Sequence, residues 1–223
     1  MRRIVISLTL LAAALAACGK SSTDLISRNA ASIVVVSGSG QSDTVVAVLP
    51  ESLVVKVADQ SGAPLQGATV DWVATVGGGS FSSSSTKTDA NGRTATVWNT
   101  GVIAGPQVAT ATVGNVTPAT FTATASPGAP KSLSFSGDAQ LAPAGTPVAA
   151  PLLVLIKDQW NNVIIGAPIS WTVNAGGGSL SASSVPTDSA GKAQVTWTLG
   201  SAGPQSATAA LDSLSHTFSA TAF

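Results

Sequence analysis

Asp59–Trp72 reads D-Q-S-G-A-P-L-Q-G-A-T-V-D-W, and 99 positions later Asp158–Trp171 reads D-Q-W-N-N-V-I-I-G-A-P-I-S-W. Each stretch leads into the same succession: a glycine triplet (Gly77-Gly78-Gly79-Ser80, then Gly176-Gly177-Gly178-Ser179), a T-D-x-x-G turn (Thr88–Gly92, then Thr187–Gly191), and a strand ending in Trp98 or Trp197. The offset stays at 99 from Asp59/Asp158 to Trp98/Trp197, then falls to 98 at Pro106/Pro204 and 97 at Phe121/Phe218. The two deletions fall between strands. A repeat of this length is a whole domain rather than a solenoid unit.

Overlaying the copies shows which parity of each strand faces inward, because successive strand residues point to opposite faces. Leu53, Val55 and Val57 match Leu152, Val154 and Ile156; Val70, Trp72 and Ala74 match Ile169, Trp171 and Val173. Phe81 matches Leu180, and Thr94, Thr96 and Trp98 match Ala193, Val195 and Trp197. Ala109, Ala111 and Val113 match Ala207, Ala209 and Leu211, and Phe121, Ala123 and Ala125 match Phe218, Ala220 and Ala222. With first strands at Ser32–Val36 and Lys131–Ser136, each copy has about seven short strands separated by Gly, Asn, Asp and Pro. The pattern predicts an all-β chain of two tandem immunoglobulin-like antiparallel β-sandwiches. We place the first at 31–126, a Pro/Gly linker at 127–130 with two prolines that stiffen it, and the second at 131–223.

Composition agrees. Hydrophobic residues make up 44% of the 223, enough for two cores, while charged residues are only 9%, in no Lys/Arg run. A nucleic-acid footprint and a basic membrane-surface patch are therefore not expected.

The N-terminus carries an address. Met1-Arg2-Arg3 precedes an apolar run, Ile4–Ala17, too short for a spanning helix and suited to a signal peptide over 1–17. The run ends Leu15-Ala16-Ala17-Cys18-Gly19, which resembles the lipobox of bacterial lipoproteins. That resemblance implies cleavage before Cys18 and acylation of Cys18, a membrane partner held through lipid. Gly19 rather than Asp after the cysteine implies, by likeness to Gram-negative lipoproteins, the outer membrane; which face the protein occupies stays open. Loss of Arg2 and Arg3 leaves 8 basic against 10 acidic residues. Residues 18–30 read as a polar tether with a reach of at most roughly 40 Å. With Cys18 the only cysteine, no disulfide is expected and each sandwich stands on its apolar core.

The block D-x-x-G-x-P-x-x-G-A-x-V-x-W with G-G-G and T-D-x-x-G resembles the bacterial Ig-like domains of the intimin/invasin type, over roughly Ala31 to Phe223. The resemblance implies a rod-building role. The second copy departs from the pattern at Trp160-Asn161-Asn162 and Ile165. Adhesins of this type also carry a β-barrel and a disulfide-bonded lectin-like tip, and one cysteine cannot build such a tip.

The candidate sites are few. Trp72, Trp98, Trp171 and Trp197 share the inward parity and read as structural core rather than sugar platforms. Trp160 lies in a turn opposite Ser61 of the first copy; it is either a ligand contact, since Trp is enriched at hot spots, or a turn aromatic folded over the domain edge or joint. Asp59, Asp89, Asp158 and Asp188 read as turn caps rather than calcium ligands, one carboxylate per turn, so no metal is expected. The glycine triplets lack the lysine and helix of a phosphate loop. His216, the only histidine, has no G-x-S-x-G to serve and no cysteine with which to hold zinc. Asn115-Val116-Thr117 fits a glycosylation sequon. No catalytic residue and no cofactor are expected. The leading reading is a non-enzymatic, lipid-anchored cell-envelope protein serving as a stalk or interaction module, facing surface protein or polysaccharide. An invasin-like adhesin and a carbohydrate-binding accessory protein using Trp160 are the alternatives. The fold does not choose among them.

Overall fold

The computed structural model describes residues 28–223. The predicted signal peptide and Cys18 lie outside them. The described residues form strands and turns, with no helix. The first copy runs β1 (Ser32–Ser37), β2 (Gln41–Thr44), β3 (Leu53–Ala58), β4 (Thr69–Val76), β5 (Ser80–Phe81), β6 (Ser85–Lys87), β7 (Arg93–Thr96), β8 (Trp98–Asn99), β9 (Gly105–Thr112) and β10 (Ala119–Ser126). The second runs β11 (Ser132–Ser136), β12 (Gln140–Ala142), β13 (Leu152–Lys157), β14 (Pro168–Ala175), β15 (Ser179–Leu180), β16 (Ser184–Pro186), β17 (Lys192–Val195), β18 (Trp197–Thr198), β19 (Gly203–Leu211) and β20 (Leu214–Ala222). In the first, a sheet β1-β3-β7 faces a sheet β2-β10-β9-β4-β6; the second repeats this as β11-β13-β17 against β12-β20-β19-β14-β16. A β5-β8 pair and its counterpart β15-β18 complete each sandwich.

The single first strand expected in each copy is two. β1 pairs antiparallel with β3, then the chain crosses to the opposite sheet and β2 pairs parallel with β10. Ser37-Gly38-Ser39-Gly40 makes the crossing. A side chain at Gly38, with φ of 90°, would stand 2.3 Å from the Ser52 carbonyl oxygen, so only glycine fits there. Gln41 fastens the crossing: its amide donates to the carbonyls of Gly38 and Glu51, and its Oε1 accepts the Glu51 N–H. Gln140 makes the equivalent three bonds to Gly137 and Ala150. By entering both sheets, the N-terminal strand ties them together at one edge.

The inward parity is buried along most of each strand, while Ala74, Phe81, Val173 and Leu180 at the strand ends are half-buried. Leu53, Val55, Val57, Val70, Ala109, Ala111 and Phe121 are sealed in the first sandwich. Leu152, Val154, Ile156, Ile169, Ala207, Ala209 and Phe218 are sealed in the second. Trp72, Trp98, Trp171 and Trp197 are all buried among them. Trp72 lies 5.8 Å from Phe121, and Trp171 lies 5.9 Å from Phe218, ring centre to ring centre.

The glycine triplets do more than bend the chain. Gly77 and Gly176 take positive φ and lie against buried Gln107 and Gln205, whose amide carbons stand 2.2 and 2.1 Å from where a Cβ would be. Gln107 accepts from the Gly101 N–H and donates to the Ile103 carbonyl. Gln205 does the same with Gly200 and Ser201. A buried amide without partners costs a lost hydrogen bond, so each of these is matched.

One difference between the copies has an energetic consequence. The Trp72 indole Nε1 donates to Thr86 Oγ1 at 2.8 Å across β4 and β6. Position 86 corresponds to Val185, on β16, and the buried Trp171 Nε1 has no partner. We predict that Val185→Thr raises the stability of the second sandwich and that Thr86→Val lowers that of the first by about 1–3 kcal/mol, the cost of an unsatisfied buried donor. Urea unfolding of both variants of the full chain checks this.

Candidate functional site: the joint between the sandwiches

The repeated turns explain the T-D-x-x-G and D-x-x-G motifs. Thr88 Oγ1 donates to the Leu65 carbonyl at 2.6 Å and accepts the Ala68 N–H, pinning the β3–β4 connection; Thr187 does the same with Ile164 and Ala167. Asp89 Oδ1 accepts the N–H groups of Asn91 and Arg93, and Asp188 Oδ1 those of Ala190 and Lys192. Asp59 Oδ1 accepts from the Ser61 amide, the Ser61 hydroxyl and the Ala63 amide. Each carboxylate is thus engaged by its own turn, the usual use of Asp in that place.

At Asp59 and Asp158 the second oxygen is used differently in the two copies. Asp59 Oδ2 pairs with the exposed Arg28, at 2.6 Å from Nε. The Ser61 hydroxyl and Arg28 lower the Asp59 carboxyl to about 2. Asp158 Oδ2 accepts instead from the Gly128 N–H of the linker at 2.9 Å and from Asn162 Nδ2 at 2.8 Å. Its Oδ1 holds the turn through the amides of Trp160 and Asn162.

Asn162 carries the contact across. Its Nδ2 donates to the Val102 carbonyl at 2.8 Å, and its Oδ1 accepts the Ala104 N–H at 2.9 Å. One side-chain amide therefore grips a donor and an acceptor of the loop between β8 and β9 of the first sandwich. Trp160, half-buried, lies over Gly128: a Cβ there would stand 2.8 Å from the indole ring. An open hollow of about 350 Å³ beside it is bounded by Thr44, Pro130, Lys131 and Gln159. The turn that departs from the family pattern is therefore the turn that meets the other sandwich. Neither Asn162 nor Gln107 stands out by composition; for Gln107 the repeated Gly-Pro-Gln is a signal, and for Asn162 the departure from the motif is.

The remaining candidates lie apart from the joint. His216 is at the rim of the second core, 3.3 Å from Asp138 Oδ2 and stacked on Phe135, while the Ser219 hydroxyl donates to Asp138 rather than to the imidazole. That is not the nucleophile–base–carboxylate order of a triad. Among the described residues no cluster of three His, Cys, Asp or Glu is placed to hold a metal ion. Asn115 stands exposed in the β9–β10 turn.

Burial pushes the Asp158 carboxyl up, but the hydrogen bonds from Asn162, Gly128 and Trp160 outweigh it and hold it below its ordinary value of 3.8. A carboxylate depressed in the folded state contributes stability above its unfolded value and loses it as the pH falls through its folded value. We predict that the Gly128 amide resonance is constant from pH 7 to 5 and titrates with a midpoint below 3.8. A midpoint at or above that value contradicts the assignment; NMR titration of the full chain measures it.

Comparison with known proteins bears on the frame around this joint. Residues 132–223 match the model of the bacterial Ig-like domain (group 1). Among solved structures, FdeC, an adhesin of Escherichia coli, is similar over 85% of this chain and 63% of its own, at 17% identity and a TM-score of 0.50. InvD of Yersinia pseudotuberculosis is similar over 86% of this chain and 56% of its own, at 14% identity and a TM-score of 0.54. Invasin, a bacterial integrin-binding protein, covers 86% of this chain and 39% of its own, at 21% identity and a TM-score of 0.40. The chain thus spans about three fifths of the FdeC and InvD structures, and the likeness is one of fold. No curated protein matches it. The second sandwich matches the bacterial Ig-like domain of group 1, and the first repeats its motifs, topology and core.

Proposed function

We propose that the protein is a non-enzymatic cell-envelope protein, anchored through lipid on Cys18, whose paired Ig-like sandwiches act as a stalk or interaction module. The observation that carries this reading is the joint: a linker with Pro127 and Pro130, a turn fastened to it through Asp158, and an amide grip on the preceding sandwich. Such a joint transmits orientation from one sandwich to the next, which is what a spacer requires. The anchor rests on the Leu15-Ala16-Ala17-Cys18 sequence. A triacylated cysteine provides more than the two hydrophobic signals that stable anchoring takes. The likeness to FdeC, an adhesin, supports a place at the cell envelope.

An adhesin role for this chain needs an exposed recognition surface. The carbohydrate-binding alternative needs a free aromatic face, and Trp160 gives part of its ring to Gly128. The carbohydrate reading is weaker than the stalk reading for that reason. We predict that cells supplied with labelled palmitate incorporate the label into the wild-type chain and that Cys18→Ala abolishes incorporation. A label retained in Cys18→Ala removes the anchor from the proposal.

A further inference from the structure

The two copies are not interchangeable at the joint. On the second sandwich, Trp160, Asn161 and Asn162 stand where the first has Ser61, Gly62 and Ala63. Asn161 keeps the positive φ of Gly62, 69° against 80°, so the turn retains its shape while its side chains change. Asn tolerates that region better than other non-glycine residues. On the first sandwich, three residues, Val102-Ile103-Ala104, separate Gly101 from Gly105. The second has two, Ser201-Ala202, between Gly200 and Gly203. The extra residue lies in the loop that Asn162 grips, and the gripping amide exists only on the other side. The donor turn and the acceptor loop each occur once.

From this we infer that the joint is a matched lock: the Asp158–Asn162 turn recognises the Val102–Ala104 loop by its backbone, and holds the pair in one fixed orientation. Asp158 is the base of the lock. It is only 3% exposed, has its acceptor sites filled by the turn, the linker and Asn162, and thereby sets the orientation of the Asn162 amide. Asn162 is then presented with both its donor and its acceptor aimed at a carbonyl and an N–H two residues apart. A second consequence is that the turn of the first sandwich, with Ala63 in place of Asn162, lacks the group that makes the grip, and the shorter loop of the second lacks the matching surface. The lock closes within a pair and does not propagate. Interfaces between domains of one chain ordinarily permit relative motion, so a fixed orientation is a specific property requiring these contacts. The inference sharpens the stalk reading but rests on the contact alone, so its failure leaves the anchor untouched.

The test uses the full chain with Cys18→Ser and nitroxide labels on cysteines placed at the exposed positions Lys87 and Lys192, one on each sandwich. Pulsed dipolar spectroscopy of this parent should give a single narrow distance distribution. Asn162→Ala should broaden it, with the unfolding transitions of the sandwiches retained. Deletion of Ile103, which gives the first loop the length of the second, should broaden it in the same way without altering the second sandwich. A broad distribution in the parent overturns the lock, and a distribution equally narrow in parent, Asn162→Ala and the deletion overturns the role of these residues.

Discussion

Filling the space between two sheets is the constraint on which each half of this protein depends. The strands are made largely of alanine, valine, threonine and serine, whose side chains alone leave a sheet pair too far apart to touch. Tryptophan and phenylalanine supply the missing volume. Trp72 and Phe121 do so in one core, and Trp171 and Phe218 in the other, against strands whose inward positions are Ala109, Ala111, Ala207 and Ala209. Large aromatic rings opposite small residues give close packing without requiring many different side chains. Trp98 and Trp197, fully buried, close the same cores beneath the glycine triplets, where an added Cβ at Gly79 would stand 3.0 Å from the Trp98 Nε1.

That economy leaves the polar work to a small set of repeated residues. Gln41, Thr88 and Asp89 in one copy, and Gln140, Thr187 and Asp188 in the other, bond backbone groups at crossings and turns. They do the same job in both halves, which is why they recur at a constant spacing. Function enters where the repetition stops. Arg28 on Asp59 is replaced in the second copy by the linker amide of Gly128 on Asp158, and Ala63 by Asn162. A turn that serves only its own sandwich in the first copy becomes, with three substitutions, the part that meets a neighbour.

Much of this was legible in the residues. Strand parity placed Leu53, Val70, Phe121 and their partners inward because a buried face repeats every second position, and two copies of one pattern fixed the phase. The sheet crossing between β1 and β2 was not, because it depends on where Gly38 must avoid the Ser52 carbonyl, a contact invisible along the chain. Nor was the unpaired Trp171 indole, since Thr86 and Val185 matter only across a strand pair. Sequence favoured Trp160 as a turn aromatic folded over the domain edge or joint, but could not name what it packs on, because its neighbour Gly128 lies thirty-two residues away. Asn162 was visible only as a departure from the motif. Its partners, Val102 and Ala104, lie about sixty residues earlier.

The proposed arrangement is a rigid pair of sandwiches held to a membrane through lipid on Cys18. Fractionation of cells, followed by protease treatment of the intact cells, examines that union directly. The account predicts that the wild-type chain sediments wholly with membranes, that Cys18→Ala moves it to the soluble fraction, and that the released chain keeps both sandwiches protease-resistant. A wild-type chain found in the soluble fraction to the same extent as Cys18→Ala would contradict it.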